Sequence, residues 1–227
     1  MIDYYRFPER RNIWGGAFNG QRFRIKIFHE LVEILTPDFI VETGTHRGST
    51  TEYLANIYKI PIYTVELEKR TYGFSVMRLK TYSNVKLHLG DSNSFLKGLL
   101  DSPEARAKQG LYYLDSHWKD ELPIKNELQL IFSKNISSVV MIDDFKVPDD
   151  PGYGFDNYGY REALTLEYIE EILDEFNLHV FLPKCRSSDE DGSRRGCVVL
   201  ADSKNAKLLS GLITIRAWNS VTEKVSI

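Results

Sequence analysis

Five short apolar runs recur along the first two-thirds of the chain, and their ends are 23 to 28 residues apart. The runs are nearly continuous, which is typical of strands buried on both faces of a parallel sheet. Their spacing is that of a strand followed by a helix. They cover residues 39–41, 62–65, 85–89, 111–114 and 139–142. The pattern therefore predicts an α/β domain on a mostly parallel sheet.

Three further segments have apolar residues at helical spacing and lie before the first strand, before the fifth strand and after it. Pro37 ends the first of these helices, and Pro123 precedes the second, where proline is common at a helix start. The apolar positions are Phe23, Ile27, Leu31 and Ile34, then Ile124, Leu128 and Ile131, then Leu166, Ile169, Leu173 and Phe176.

The C-terminal third changes character. Residues 179–182 and 196–201 are predicted strands, and the polar stretch 183–195 between them predicts a hairpin with a long loop. Such a hairpin places an antiparallel strand in the sheet. Residues 212–218 are compatible with another strand or with a short helix.

The stretch 147–160 interrupts this pattern directly after the fifth strand. It contains two prolines, three glycines, three aspartates and three tyrosines, so it is predicted to be a loop. Open α/β sheets bind ligands at the carboxyl ends of their strands, where this loop lies. We expect a substrate-facing lid here, with a solvated connection as the alternative.

Length and composition narrow the class of protein. The chain has 227 residues, a net charge of −3 and ordinary globular composition, which argues against a dedicated nucleic-acid binder. The longest apolar run, 139–142, is too short to span a membrane, and no signal peptide is visible, so a cytoplasmic protein is predicted.

The expected organisation is an N-terminal loop and helix over 1–36 and one domain over 37–227. Cys185 and Cys197 are expected to be reduced thiols, although a single bridge is geometrically possible.

The first strand runs into Glu42-Thr43-Gly44-Thr45-His46-Arg47-Gly48-Ser49-Thr50. Gly44 allows a tight turn, while Gly48 and Ser49 would open the next helix and present free N–H groups to a ligand. His46 occupies the place of the second glycine of a dinucleotide fingerprint and would crowd a pyrophosphate. An acidic residue before the first glycine, with three residues between the glycines, instead resembles the first motif of class I S-adenosylmethionine-dependent methyltransferases. A ligand-free turn is the alternative.

The next two strand ends carry candidate nucleoside contacts. Glu66 ends the second strand, where a carboxylate can accept hydrogen bonds from ribose hydroxyls. Asp91 and Ser92 follow the third strand and can cap the next helix. In the methyltransferase family this position lies beside the adenine, so the resemblance implies contact with the base as well.

Three carboxylates follow the fourth and fifth strands: Asp115, Asp143 and Asp144. If these strands are neighbours, the carboxylates converge and must be neutralised. Lys119 and Lys146 could do this, but oxygen ligands also suit Mg²⁺, Mn²⁺ or Ca²⁺, and a divalent ion is the sharper hypothesis.

This arrangement resembles the metal-dependent O-methyltransferases: catechol O-methyltransferase, the cephalosporin-hydroxylase-like proteins and the macrolide-sugar O-methyltransferases. The resemblance implies a Rossmann-like class I methyltransferase fold with a mostly parallel seven-stranded sheet, helices on both faces and a C-terminal antiparallel hairpin. It also implies S-adenosylmethionine, a divalent metal and a small-molecule hydroxyl acceptor. The implied cofactor residues are Glu42, Gly44, Thr45, Gly48, Ser49, Glu66, Asp91, Ser92 and Asp115, and the implied metal ligands are Asp115, Asp143 and Asp144.

One departure concerns the catalytic base. The catechol enzymes place a lysine three residues after the strand-four aspartate, where this chain has Trp118. His117, beside Asp115, is the best replacement, since its ordinary pKa is near 6.5. It could instead ligate the metal or be structural. The departure makes a sugar or another alcohol as plausible an acceptor as a catechol.

The glycine-broken segment 14–21 precedes the first predicted helix. It either folds over the cofactor or forms a surface turn in which Asn19 caps the helix. Asn19 and Gln21 are therefore weaker site candidates. Two rival functions stay open: a nucleotide-dependent oxidoreductase on a similar fold, and a non-catalytic cofactor-binding domain.

Overall fold

A computed structural model describes residues 2–116, 122–134, 137–159 and 162–218 of the chain. Its strands form one sheet in the order β3-β2-β1-β4-β5-β7-β6-β8. The strands are β1 Phe39–Thr43, β2 Ile62–Glu66, β3 Val85–Leu89, β4 Gly110–Leu114, β5 Ser138–Ile142, β6 His179–Pro183, β7 Val198–Ala201 and β8 Ile215–Trp218.

Helices pack on both faces of this sheet, where apolar side chains of the strands alternate between two core clusters. The cluster containing Val41 and Val140 lies on one face, and the cluster containing Ile40 and Val139 lies on the other. The α-helices of the described residues are α1 Ile2–Arg6, α2 Arg22–Leu35, α3 Ser49–Ile57, α4 Lys69–Leu79, α5 Ser92–Asp101, α6 Ile124–Ser133, α7 Leu166–Glu175 and α8 Ser203–Leu209.

The predicted mostly parallel sheet with a closing hairpin is confirmed. Strands β3, β2, β1, β4 and β5 are parallel, β7 runs antiparallel between β5 and β6, and β8 pairs antiparallel with β6. The sheet has eight strands among the described residues rather than the predicted seven, because residues 215–218, which the sequence left undecided, add to β6. The C-terminal pairing satisfies the backbone of β6 on its second side.

The first turn of helix α2 is hydrogen-bonded to a residue that is distant in the sequence. The carboxylate of Glu190, in the β6–β7 loop, accepts hydrogen bonds from the backbone N–H groups of Phe23 (3.0 Å) and Arg24 (3.2 Å). These are first-turn groups without intrahelical partners, and a negative charge there is favourable. The long loop of the hairpin therefore fixes the N-terminal end of α2 against the carboxyl edge of the sheet.

The topology brings the strand ends of interest to one edge. Parallel register pairs Thr43 with Val65 and with Leu114, and Leu114 with Ile142. The residues that follow β1, β2, β4 and β5 are consequently neighbours, as ligand sites of open α/β sheets require.

Two smaller predictions concern the chain as a whole. Cys185 and Cys197 are both free thiols, and Cys197 is buried. None of the helices in the described ranges combines the length and apolar character needed to cross a membrane.

Candidate active site

The glycine turn after β1 is held by its neighbours. Gly44 and Thr45 donate their backbone N–H groups to the carbonyl of Val65, at 3.1 and 3.0 Å. Gly44 has φ +85°, and a Cβ on it would overlap the backbone carbonyl of Asp115. The glycine is therefore required by the close approach of the β4 end as well as by the turn, a reason that the sequence did not supply.

The start of α3 leaves backbone donors open at this edge. Gly48 is the residue before the helix, with φ +73°, and Ser49 begins it. No side chain within the described residues caps this end. The first N–H groups of a helix without a cap, together with its dipole, favour an anionic group such as a carboxylate.

Glu66 lies at the end of β2 with its carboxylate oriented by the backbone. It is buried, and it accepts hydrogen bonds from the N–H groups of His46 (2.7 Å) and Glu68 (2.8 Å). Burial raises its pKa, and backbone hydrogen bonds from Glu68, His46 and Leu67 oppose that shift. A carboxylate has about four acceptor positions, so the group can still accept a hydrogen bond, as a ribose hydroxyl would supply.

Glu42 lies beneath the turn. Its side chain is buried and accepts hydrogen bonds from the hydroxyls of Thr51 and Thr64, the latter at 2.8 Å. Burial raises the pKa of Glu42 to about 8, and the nearby carboxylates of Asp115 and Glu66 add to the rise. At neutral pH Glu42 is mainly protonated, and it acts on the turn through these hydroxyls.

Two other residues of the motif, Thr45 and His46, lie beside the turn. The hydroxyls of Thr45 and Thr64 are 2.6 Å apart in the buried region under the turn. His46 is in the left-handed region with φ +48°, and burial lowers its pKa to about 4, aided by Arg47 and Arg78. The imidazole beside the turn is thus neutral at physiological pH.

Asp91 and Ser92 take the capping positions that the sequence predicted. Asp91 precedes α5, and its carboxylate accepts a hydrogen bond from the N–H of Ser94 at 2.8 Å. Ser92 is buried at the first position of the helix. Contact with an adenine base stays a prediction.

Asp115 follows β4 directly, with its backbone N–H bonded to the carbonyl of Thr43 at 2.9 Å. Its carboxylate is close enough to raise the pKa values of Glu42 and Tyr113. It therefore lies between the glycine turn and the β5 end. His117, the predicted base, lies outside the described residues together with Trp118 and Lys119.

Asp143, after β5, is buried against an arginine from α2. The side chains of Arg24 and Asp143 are 1% and 0% exposed, and Arg24 donates directly to this carboxylate. The hydroxyl of Tyr113 donates to the other oxygen at 2.5 Å, and the N–H of Asp144 donates at 2.7 Å. The amide of Asn19 is 3.5 Å away. Both oxygens of Asp143 therefore have donors within the protein.

Asp144 faces a second arginine. The Arg195 Nε atom is 3.0 Å from an oxygen of Asp144, and the other end of the same guanidinium pairs with Asp156. The Arg24 guanidinium is 4.0 Å from Asp144 as well. Burial works to lower the pKa of Arg195, but the two carboxylates outweigh it, so its pKa is raised. We call Asp143, Asp144, Asp156, Arg24 and Arg195 the arginine–aspartate cluster.

The described residues do not fit the divalent-ion site expected from Asp115, Asp143 and Asp144. They contain no group of three or more His, Cys, Asp or Glu side chains arranged to hold a metal ion. Both oxygens of Asp143 accept hydrogen bonds from the protein, and an oxygen of Asp144 faces a guanidinium group. Of the two lysines considered as alternatives, Lys119 lies outside the described residues, and the Lys146 ammonium lies over the Phe155 ring at 5.9 Å.

Sequence reasoning missed Arg24 and Arg195. The buried stripe of α2 comprises Arg24, Ile27, Phe28, Leu31 and Leu35, so Arg24 stands one turn before the apolar residues on their own face. A basic residue in line with an apolar stripe is the signal that could have found it, since a buried charge needs a partner. The predicted stripe through Phe23 and Ile34 was offset by one residue.

The N-terminal segment contacts both parts of the site. The side chain of Gln21 bonds the backbone of Arg195 twice, at 2.8 and 2.9 Å, and is almost fully buried. Phe18 donates its N–H to the hydroxyl of Thr50 at 3.1 Å. Asn19 does not cap α2, because it adopts φ +57° two residues before the Gln21 cap position. The segment is an ordered wall of the site, whereas its contact with a cofactor stays a prediction.

The predicted lid, 147–160, is described through residue 159 and is anchored along its length. Asp150 accepts two hydrogen bonds from Ser187, and Asp156 donates its N–H to the carbonyl of Asp144 at 2.9 Å. Gly154 and Gly196 are bonded at 2.8 Å. The loop lies against the β6–β7 loop beside the end of β5, and contact with substrate stays a prediction.

No protein-family model matches this chain, and no curated protein sequence matches it at a significant level. Solved structures do match its fold. An O-methyltransferase from Bacillus cereus in complex with SAH is 13% identical, with 88% of this chain and 90% of that chain covered and a TM-score of 0.59. A putative caffeoyl-CoA O-methyltransferase from Staphylococcus aureus is 12% identical, with 88% and 92% covered and a TM-score of 0.58.

A third match is the O-methyltransferase TomG from Streptomyces achromogenes, involved in tomaymycin synthesis and solved with SAM. It is 17% identical, covers 79% of this chain and 80% of that chain, and has a TM-score of 0.53. Sequence identities this low support the architecture alone. Together with the strand order and the strand-end residues described above, they show that the chain has the Rossmann-like fold of the class I methyltransferases.

Proposed function

We propose that this protein transfers a methyl group from S-adenosylmethionine to a hydroxyl oxygen of a small molecule. The observation that carries the proposal is the arrangement of Glu66, the Gly44 turn and the uncapped start of α3 at one sheet edge. It offers a ribose acceptor, a tight backbone turn and open N–H groups for a carboxylate. S-adenosylmethionine carries the matching groups.

The charges at this edge also suit that cofactor. Glu66 and Asp115 both lie near Glu42, and burial raises the pKa values of both glutamates. A cationic ligand relieves such crowding because it favours the ionised form of a nearby carboxyl. When bound, the cofactor supplies an activated methyl carbon on a sulfonium, and the protein has only to align an acceptor oxygen and remove its proton.

The acceptor would lie on the β4–β5 side, next to Asp115 and the loop 147–160. The O-methyltransferases with the same fold support oxygen as the acceptor atom, and the Asp115 carboxylate is placed to orient a hydroxyl. No step is assigned to a divalent ion, because the described donor set does not fit one. His117 remains our candidate for the base, since it follows Asp115 by two residues.

The first experiment is a titration with S-adenosylhomocysteine followed by calorimetry. Glu66→Ala should weaken binding by about 1.5–3 kcal/mol, the contribution of hydrogen bonds to a charged group. The matched control is Glu68→Gln, which alters an exposed neighbour whose side chain caps α4. It should leave the dissociation constant unchanged.

Three results would contradict the proposal. Equal affinity of Glu66→Ala and the unaltered chain would remove Glu66 from the cofactor site. Binding of NAD in preference to S-adenosylhomocysteine would support the oxidoreductase instead. Cofactor binding without methyl transfer to a broad panel of alcohols, catechols and sugars would favour the non-catalytic domain.

A further inference from the structure

The arginine–aspartate cluster occupies the part of the sheet edge where a cation was expected. Strand-end carboxylates buried in an apolar sheet must be neutralised, since an isolated buried charge is very costly. Here the neutralising charge is covalently part of the chain. Arg24 reaches Asp143 from α2, and Arg195 reaches Asp144 from the β6–β7 loop.

Arg24 is fixed in this position by contacts that have nothing to do with the aspartates. One nitrogen of its guanidinium donates to the backbone carbonyls of Arg195 and of Gly196, the latter at 3.1 Å. Its backbone N–H is bonded to Glu190 at the start of α2. The planar guanidinium therefore presents its other terminal nitrogen to Asp143 in a set direction, as arginine does in buried ion pairs.

The other partners of Asp143 use its lone pairs as well. Tyr113 donates to one oxygen and the N–H of Asp144 to the other. A divalent ion at this place would have to displace these donors and lie beside a guanidinium of like charge. A buried, fully bonded carboxylate held by an arginine is a poor metal ligand for both reasons.

We propose that Arg24 is the built-in counter-ion of this strand end, and that the cluster binds no divalent ion while Arg24 is in place. The position of its guanidinium is a latent cation site. Removing the arginine leaves Asp143 without its counter-charge, while Asp144 keeps Arg195, and it opens a space that oxygens of both aspartates face. This inference does not depend on methyl transfer, because ion binding and stability can be measured without cofactor or acceptor.

The test compares the full-length chain with Arg24→Ala. The free Mn²⁺ signal in electron paramagnetic resonance, titrated into each protein, reports the number of bound ions. We expect no bound Mn²⁺ for the unaltered protein at millimolar ion and one for Arg24→Ala. The variant should melt roughly 6–20 °C lower, and saturating Mn²⁺ should recover part of that loss.

Two control variants separate a specific site from general exposure of acids. Arg24→Ala/Asp143→Asn should bind no Mn²⁺, because a principal ligand is gone. Arg78→Ala removes another buried arginine, which bonds the backbone of Arg47 and lies near Glu52 on a different part of the edge. It should be destabilised without gaining an ion.

The proposal is overturned if the unaltered protein binds one Mn²⁺ and Asp143→Asn abolishes it. It is equally overturned if folded Arg24→Ala binds none. Should Arg24→Ala fail to fold, Arg24→Gln, whose side chain is uncharged and shorter than that of arginine, takes its place. The measurement on the unaltered chain and on Asp143→Asn decides the question even if neither arginine variant folds.

Discussion

The two halves of the carboxyl edge keep buried acids by different means. On the β1–β2 side, Glu42 and Glu66 are held by threonine hydroxyls and backbone N–H groups, and burial raises both pKa values. On the β5 side, Asp143 and Asp144 face guanidinium groups. In the first half Glu42 lowers the charge by protonation, whereas the second half balances its charge with arginine.

This difference indicates what each half can accept. Acids that are stabilised by neutral donors still attract a positive ligand, so the β1–β2 side suits a cationic cofactor. Acids already paired with arginine gain little from another cation. The β5 side is therefore suited to binding a neutral methyl acceptor, and its paired charges make it a rigid wall of the site. Substitutions on the two sides test that division.

The largest effect is expected from breaking the buried pair on the β5 side. Arg24→Met or Asp143→Asn alone should lower the free energy of unfolding by about 3–5 kcal/mol, because each leaves an uncompensated buried partner. The double variant should lose much less than the sum of the two, since the second change removes the stranded group. Urea unfolding of the four proteins gives the coupling energy. Additive losses would show that the pair is not a unit.

On the β1–β2 side, a substitution of Glu42 should change how the free energy of unfolding depends on pH. Burial raises the folded-state pKa of Glu42 to about 8, far above the ordinary value of 4.5 that the unfolded chain has. Its stabilising contribution is therefore fully present below pH 4.5 and is lost as the pH rises through 8. Glu42→Gln keeps a neutral group in place. Thermal unfolding at pH 9 should find it more stable than the unaltered chain by on the order of 5 kcal/mol, with little difference at pH 4.

The control variant, Glu68→Gln, should change the stability in the opposite direction. Backbone hydrogen bonds from Thr71 and Arg70 lower the pKa of Glu68, which is exposed, so its ionised form is the stabilising one. Glu68→Gln should lose stability above pH 4.5 rather than gain it. If Glu42→Gln and the unaltered chain gave parallel curves of stability against pH, Glu42 would be ionised in the fold and the contrast between the two halves would fail.

The smallest effect concerns the end of β3. Asp91→Ala removes the cap of α5 and should lower the free energy of unfolding by about 1 kcal/mol. The same variant tests the predicted adenine contact. A weaker dissociation constant for S-adenosylhomocysteine would extend the cofactor site to Asp91. Unchanged affinity, with the stability loss present, would leave it as a helix cap only.

The parts of the site that sequence could predict are those encoded locally. Apolar runs mark the parallel strands, so the residues after them, from Glu42 to Asp144, could be assigned to one edge from the sequence alone. The counter-ions are different, because Arg24 is 119 positions before Asp143 along the chain. No local pattern links them. Only the position of Arg24 on the buried stripe of α2 indicated that it needs a buried partner of opposite charge.

The eighth strand and the glycine turn were underdetermined for a similar reason. Residues 215–218 form a strand because β6 offers them an open edge, which is a property of the assembled sheet. Gly44 is needed because the carbonyl of Asp115 passes beside it. Neither β6 as the partner of residues 215–218 nor the Asp115 carbonyl as the neighbour of Gly44 can be inferred from the local sequence.

The bonds between the β6–β7 loop and the start of α2 set an order of events when the chain is made. Glu190, Ser193 and Arg195 bond Phe23, Asn19 and Gln21, residues that leave the ribosome far earlier. Contacts this distant in sequence close late, since long loops must be ordered first. A nascent chain ending before the hairpin would contain Arg24 and Asp143 but would lack the other partners of Arg24, which are Glu190, Arg195 and Gly196. The N-terminal wall of the site should therefore stay open to proteases until the last third of the protein has been synthesised.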